Sequence, residues 1–176
     1  MKVTTFENSS DKMLNKNIVE LENNECILNQ YFFNSLCYKI GPLYGELIIP
    51  EGIIEIKEGC FGSVLMIHTY HFPKTLKKIH RSLWNYTYMK DHIKVVYKGT
   101  SDEFIEIAKT EVKEVCESDG FDRYPYYSGG SRWVTHYYSF DVDVKHVEVY
   151  CEEDDTYLDY GYSFRKNDEI PKKRKI

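Results

Sequence analysis

The sequence repeats a set of apolar residues and a proline at one fixed spacing, and this repeat strongly restricts the folds open to the chain. Aligning "ELIIPEGIIEIKEGCFG" with "YHFPKTLKKIHRSLWN" gives five pairs, each 23 residues apart: Ile49 and Phe72, Pro50 and Pro73, Ile53 and Leu76, Ile56 and Ile79, Phe61 and Trp84. Periods of about 20 to 50 residues are typical of solenoids, because one unit cannot bury its apolar side without stacking on the next. We therefore expect stacked parallel strands.

A third copy begins at "HIKVVYKGT", where Val95 and Tyr97 take the places of Tyr70 and Phe72 two residues later than strict periodicity requires. We expect it to be the last full strand of the stack. Because side chains alternate between the two faces of a strand, every second residue should enter the core. The residues predicted inside are Leu47, Ile49, Tyr70, Phe72, Val95 and Tyr97; those predicted on the exposed face are Glu46, Ile48, Thr69, His71, Lys94 and Val96.

The segments "LIIPEGIIEIKEGCF" and "YHFPKTLKKIHRSLW" resemble the leucine-rich repeats of bacterial surface antigens of the BspA type. "VVYKGTSDEFIEIAK" is similar to the C-terminal unit of that family, a strand followed by Gly-Thr and a short helix, and "HVEVYCEED" is similar to its closing strand. The resemblance covers residues 43–109 and 146–154. It implies an α/β, strand-rich fold with a short leucine-rich-repeat solenoid of stacked parallel strands, and protein binding or adhesion without catalytic residues.

The remaining segments predict a cap at each end of the repeats. Residues 1–17 are polar and predict a flexible start, and two apolar runs within 18–33 predict a capping hairpin with its turn at the asparagines. Ser101, followed by two acids, predicts the N-cap of a helix. The predicted regions are 1–37, an N-terminal β cap that is partly flexible; 38–109, the leucine-rich repeats and capping helix; 110–145, an aromatic insert; 146–165, a closing strand and C-terminal cap within a strand-rich extension; and 166–176, a basic flexible tail.

The aromatic insert concentrates residue types that are enriched at binding hot spots. Turn signals at Asp119-Gly120 and Gly129-Gly130 predict a hairpin or a protruding loop. One interpretation is that the insert contacts a partner; the other, left open, is that its aromatic side chains pack back on the end of the solenoid. The partner-binding candidates are Arg123, Tyr124, Tyr126, Tyr127, Arg132, Trp133 and Tyr137 in the insert, with Ile48, His71 and Val96 on the strand face.

Composition limits the class of protein. The net charge of -5, from 23 basic and 28 acidic residues, argues against nucleic-acid binding by the whole surface. No apolar run is long enough to span a bilayer, and the first residues lack a signal-peptide core, so we expect a cytoplasmic protein and no membrane partner. Five scattered cysteines predict reduced, buried thiols. Without a nucleophile motif, phosphate loop or metal-ligand spacing, we expect no enzyme, no cofactor and no metal.

Two functional hypotheses follow from these patterns. The first is a non-catalytic protein-binding module. Lys, Asn, Ile and Tyr are abundant, as in the AT-rich coding sequences of some bacteria and phages, so one form of this hypothesis is a phage-encoded modulator or inhibitor of a host protein. The alternative is a nucleic-acid-associated accessory protein, which would use the basic residues 172–175 and stacking by the aromatic insert. The identity of a protein partner and the oligomeric state stay open at this point.

Overall fold

The computed structural model describes residues 1–22, 26–57, 60–61, 65–79, 92–107, 125–128, 132–135, 145–162 and 172–174. Its elements are β1 Lys2–Phe6, a 3-10 helix Lys12–Leu14, β2 Lys16–Glu20, β3 Ile27–Leu28, α1 Gln30–Ile40, β4 Leu43–Ile48, β5 Glu55–Ile56, β6 Leu65–Phe72, β7 Lys78–Ile79, β8 His92–Tyr97, α2 over 101–107, β9 Pro125–Ser128, β10 Arg132–Thr135, β11 Lys145–Cys151, β12 Thr156–Tyr162 and β13 Lys172–Lys173. Within these ranges neither helix has the length and hydropathy needed to cross a membrane.

Most strands belong to two sheets that the chain visits in turn. The large sheet has the order β1-β2-β4-β6-β8-β11-β12-β13, and the small sheet has the order β3-β5-β7. Strands β2, β4, β6, β8 and β11 are parallel to one another, as are β3, β5 and β7. The α/β, strand-rich class predicted from the sequence is confirmed, although β8 is not the last parallel strand, because β11 pairs beyond it.

The registers of both sheets reproduce the spacing of the repeat. In the small sheet Glu55 faces Lys78, and in the large sheet Glu46 faces Thr69, which is 23 residues further along the chain in each case. Thr69 in turn faces Lys94, 25 residues later, which is the two-residue lag predicted for the third copy. The repeat therefore predicts which residues become neighbours across strands.

The core lies between the two sheets, and the predicted alternation is confirmed for its inward residues. Leu47, Ile49, Tyr70, Phe72, Val95 and Tyr97 are each at most 1% exposed. The Phe61 ring packs against two of them, with its centroid 4.4 Å from that of Tyr70 and 6.2 Å from that of Phe72. Since full burial of a large apolar side chain contributes about 1.5–3 kcal/mol, this layer fixes the backbone of the large sheet.

The hairpin predicted over residues 18–33 is wrong. Strands β2 and β3 belong to different sheets, and the chain continues into α1. The Asn29 side chain starts the helix by accepting hydrogen bonds from the backbone N–H groups of Tyr31 and Phe32. Phe33 and Cys37, one turn apart, place their side chains in the core. An N-cap followed by this four-residue spacing is a helix signal that outweighs the asparagine-rich turn.

The polar start of the chain contains a strand, which differs from the flexible segment predicted. Strand β1 pairs antiparallel with β2 from Lys2, opposite Glu20, to Phe6, opposite Lys16. Between β1 and β4, the fully buried Asn17 donates from Nδ2 to the carbonyl oxygens of Tyr44 (2.7 Å) and Glu46 (2.9 Å). Polar residues therefore build this end of the sheet through backbone and amide hydrogen bonds.

The N-cap of helix α2 is Thr100, one residue earlier than the predicted Ser101. The Thr100 hydroxyl accepts from the Glu103 N–H (3.3 Å), and the Glu103 carboxylate accepts from the Thr100 N–H (2.9 Å), which is a capping box. Ser101 is therefore not the N-cap. It is buried, and its hydroxyl donates to Asp154 Oδ2 at 2.6 Å, which links α2 to the turn between β11 and β12.

Candidate protein-interaction face

The outer face of the large sheet, on the side away from the small sheet, carries one continuous line of side chains at the same register level. We call this line the interaction row. Adjacent strands lie about 4.8 Å apart, so six of them carry the row across roughly 24 Å. Its members, in order across β2, β4, β6, β8, β11 and β12, are Ile18, Ile48, His71, Val96, Tyr150 and Tyr157. The three strand-face candidates from the sequence, Ile48, His71 and Val96, are thus direct neighbours.

Every side chain of the interaction row is half-buried, so each keeps accessible surface while its base is packed. The residues that precede Ile48, His71 and Val96 in the chain point the opposite way and are fully buried. At the far end, the rings of Tyr150 and Tyr157 pack with centroids 4.8 Å apart. The core therefore holds the row on rigid strands, which lowers the entropy lost when a partner binds.

A second line of residues runs beside the first and is polar. We call it the polar row. The two rows are linked by His71 of the interaction row, whose Nε2 lies 3.1 Å from Glu46 Oε2 of the polar row. Its members, on the same six strands, are Lys16, Glu46, Thr69, Lys94, Glu148 and Asp159. Because charges of both signs flank an apolar and aromatic line, the face has the arrangement of an interface core with a polar rim.

Thr69 departs from its predicted exposure, since it is only 7% exposed. The register between β4 and β6 shifts at this point, so that His68 has no partner residue on β4 and forms a bulge. The His68 imidazole contacts the Thr69 hydroxyl through Nδ1 (2.8 Å) and the Met13 carbonyl oxygen through Nε2 (3.0 Å). At this bulge the central member of the polar row, Thr69, is therefore buried.

Ion pairs bound the face near the carboxyl ends of the parallel strands. Lys98 Nζ lies 3.4 Å from Glu51 Oε1, and Lys74 Nζ lies 2.5 Å from Glu153 Oε1. Burial acts to raise the pKa of Glu51, but hydrogen bonds from the N–H groups of Thr75 and Lys74 and from Lys98 outweigh it, so the pKa is lowered. Glu51 is therefore ionised at neutral pH, and this border of the face stays charged.

The C-terminal segment lies against the other end of the face. Strand β13 pairs with β12 through Leu158 and Asp159, and the Arg174 N–H donates to the Tyr157 carbonyl oxygen at 2.9 Å. Residues Lys172–Lys173 are therefore part of the large sheet, which differs from the flexible tail predicted for 166–176.

The aromatic insert contains a hairpin, as predicted, in which β9 and β10 pair antiparallel. Tyr126 faces Val134, Tyr127 faces Trp133, and Arg132 faces Ser128. The candidates Arg123, Tyr124 and Tyr137 lie outside the described residues. The choice between contact with a partner and packing on the repeats thus stays open for this segment.

Three members of the interaction row, Ile18, Tyr150 and Tyr157, were missed by sequence reasoning. Tyr150 had a usable signal, because "HVEVYC" alternates and would join β8 in parallel if it closes the stack. Ile18 was assigned to a hairpin, and Tyr157 follows a turn whose direction the sequence does not specify.

Three of the described thiols, Cys37, Cys60 and Cys151, are poorly suited to nucleophilic chemistry. These three are buried free cysteines, as predicted, whereas Cys26 is a half-buried free cysteine. Burial, followed by the nearby charge of Asp154, raises the pKa of Cys151 to about 12, and burial raises the pKa of Cys37 and Cys60. These three thiols are therefore protonated at neutral pH. Within the described ranges no three His, Cys, Asp or Glu residues are grouped so as to hold a metal ion.

Compared with models of protein families, with curated proteins and with solved structures, the chain shows no match.

Proposed function

We propose that this chain is a non-catalytic protein-binding module built on a short leucine-rich-repeat solenoid of the BspA type, and that the interaction row is its main contact surface. The observation that carries the proposal is the row itself, six half-buried side chains at one register level on adjacent strands. Tyrosine adds large contact area with few torsions to freeze and is enriched at binding hot spots.

The solenoid part of the proposal is supported by the way the chain alternates between the parallel strands of two sheets. Strands β4 and β5, then β6 and β7, place one strand in each sheet per repeat, with matching 23-residue offsets. Such stacking gives a continuous core and a broad outer face that is suited to contact with another macromolecule.

A protein partner fits the face better than nucleic acid does. The outer surface mixes acidic and basic residues, and two of the basic residues assigned to the alternative function are already paired: Lys173 Nζ lies 2.9 Å from Asp102 Oδ1, and Arg174 Nη2 lies 2.8 Å from Glu148 Oε2. The nucleic-acid alternative is therefore the weaker proposal. It predicts nucleic-acid binding at low salt that is lost when Lys173 and Arg174 are both changed to Gln, measured by fluorescence anisotropy.

The protein-binding proposal is tested by changing the middle of the row. We expect Ile48→Glu with Val96→Glu to abolish capture of a partner from extracts of the native host, because two charges would enter the apolar line. The matched control is Ile54→Glu, since Ile54 is an exposed isoleucine (43%) adjoining the small sheet.

The readout is mass spectrometry of the captured proteins, with thermal unfolding of each variant alongside. The proposal expects a protein captured by the wild type and by the Ile54 variant and lost from the row variant, while all three fold. A captured protein that the folded row variant retains would contradict it.

A further inference from the structure

One end of the interaction row is occupied by the chain itself. The Arg174 guanidinium lies over the Tyr157 ring, with 5.7 Å from its central carbon to the ring centroid. It also donates from Nη2 to Asp159 Oδ1 (2.6 Å) and to Glu148 Oε2 (2.8 Å). Tyr157 supplies an aromatic wall and the polar row supplies two carboxylates, which together form an arginine-binding corner.

The rest of the segment is bound in the manner of an added strand. Backbone pairing joins Lys172–Lys173 to the edge of β12. On the opposite face of the sheet, the Lys173 ammonium pairs with Asp102 of α2. The successive side chains of Lys173 and Arg174 thus reach opposite faces, while main-chain hydrogen bonds set the register, as in peptide recognition by strand addition.

The side-chain contacts that hold this segment are exposed. The side chains of Arg174, Glu148 and Asp159 keep 43%, 37% and 58% of their surface accessible. Exposed ion pairs contribute little to stability and are screened by salt. Within the described residues, β13 pairs with only two positions of the seven-residue strand β12. A competing segment can therefore replace it without opening the core.

We infer that the β12 edge, with Tyr157, Glu148 and Asp159, is a docking site for an extended, arginine-containing basic segment of a protein partner, and that the chain's own segment 172–174 occupies this site as an autoinhibitory contact. The inference rests on the proposed function, because it assigns a partner chemistry to one end of the same face. A tethered segment competes at an effective concentration in the millimolar range, so a partner must displace it.

The test measures binding of a free peptide to the full chain. The probe is the fluorescently labelled hexapeptide with the sequence of residues 171–176, and the readout is anisotropy at about 50 mM salt, where exposed charge pairs are weakly screened. We expect the Lys173→Gln, Arg174→Gln double variant to bind this peptide at least tenfold more tightly than the wild type, because its own segment no longer competes.

Two controls isolate the arginine-binding corner. Adding Glu148→Gln and Asp159→Asn to the double variant should reduce peptide binding at least tenfold, and a peptide with Gln in place of its arginine should bind the double variant equally poorly. Thermal unfolding shows that each variant is folded. Equal binding by wild type and double variant, no binding by the folded double variant, or binding that ignores the two carboxylates would each overturn the inference.

The same variants separate this inference from the proposed function. If the peptide fails to bind while partner capture still depends on Ile48 and Val96, the docking site is wrong and the protein-binding function stands. If the peptide binds as expected while capture ignores Ile48 and Val96, the arginine site stands and the interaction row is not the main contact surface.

Discussion

The two edges of the large sheet are closed in different ways. At the amino-terminal edge, β1 pairs with β2 over five residue pairs, and the buried Asn17 ties β2 to β4. At the carboxyl-terminal edge, the described part of β13 pairs with β12 over two residue pairs, and its side chains make exposed ionic contacts. The first edge combines an exposed Lys2–Glu20 ion pair with hydrogen bonds of a buried amide, whereas the described side-chain contacts of the second are charges that water and salt can reach.

This difference indicates that the two edges of the sheet have different roles. Buried hydrogen bonds are expensive to leave unmade, so the amino-terminal edge belongs to the cooperative fold. Exposed ion pairs are exchanged for water or another ligand at little cost, so the carboxyl-terminal edge is the one that a partner would open under the proposed docking. Variants at the two edges should therefore differ strongly in their effects on unfolding.

The largest effect is expected at the amino-terminal edge from Asn17→Ala. The change removes the amide that donates to the carbonyl oxygens of Tyr44 and Glu46 and accepts from the Thr5 hydroxyl. Leaving buried groups unsatisfied should lower the free energy of unfolding by about 3 kcal/mol, measured by urea denaturation. The exposed Asn34→Ala is the control; equal losses for both variants would show that the loss at position 17 does not come from its buried hydrogen bonds.

A smaller loss is expected from Gly45→Ala, also at this edge. Gly45 has φ +90°, and an added Cβ would lie 2.2 Å from the Asn15 carbonyl oxygen, so the segment before β2 must shift. We expect a loss of about 2 kcal/mol. Gly41→Ala separates strain from collision, because Gly41 has φ +86° with no atom near its added Cβ. The Gly41→Ala variant should lose about 1 kcal/mol of unfolding free energy. A larger loss than that of Gly45→Ala would show that the collision with Asn15 is harmless.

Near the carboxyl-terminal edge, Asp154→Asn should act through pH. Burial works to raise the pKa of Asp154, but hydrogen bonds from Ser101 and the charge of Lys173 lower it below its ordinary value of 3.8. A carboxyl with a lowered pKa stabilises the fold above its unfolded pKa, and this stability is lost as the pH falls through the folded value. The wild type should thus be more stable than the variant at pH 7, with the difference shrinking as the pH falls below about 4 and vanishing only below the lowered folded pKa, in unfolding experiments across that range. A difference independent of pH would assign the effect to shape and not to charge.

The smallest effect on unfolding is expected from Arg174→Gln. Its ionic contacts are exposed, so the melting temperature should fall by no more than about 2 °C in scanning calorimetry. A loss as large as that of Asn17→Ala would show that the carboxyl-terminal edge is as integral to the fold as the amino-terminal one.

The sequence predicts the middle of the fold well because one physical signal repeats there. The repeat containing Ile49 and the repeat containing Phe72 share their proline, their apolar spacing and their strand alternation. The structure has the registers and buried residues that these shared features predict. The ends lack that redundancy. Asn17 enters the core by satisfying backbone carbonyls of β4, and such long-range pairing leaves no periodic mark in the sequence.

The candidate site was predictable only where it coincides with the repeat. Ile48, His71 and Val96 follow from alternation once their strands are aligned. The positions of Tyr157 and Arg174 on this face depend on which way the chain turns after β11 and on pairing between distant segments. The Gly129-Gly130 pair in the sequence predicts the pairing of β9 with β10, but this local signal does not report whether the aromatic residues contact a partner.

Site-specific photo-crosslinking tests the central claim, that the outer face of the large sheet contacts the partner, most directly. A photoreactive phenylalanine analogue is placed at position 96 in the interaction row, at position 127 in the hairpin, or at position 54 beside the small sheet. We predict a cross-link to the captured protein from position 96 and none from position 54, whatever position 127 gives. Cross-linking from position 54 or 127 but not from position 96 would contradict the claim.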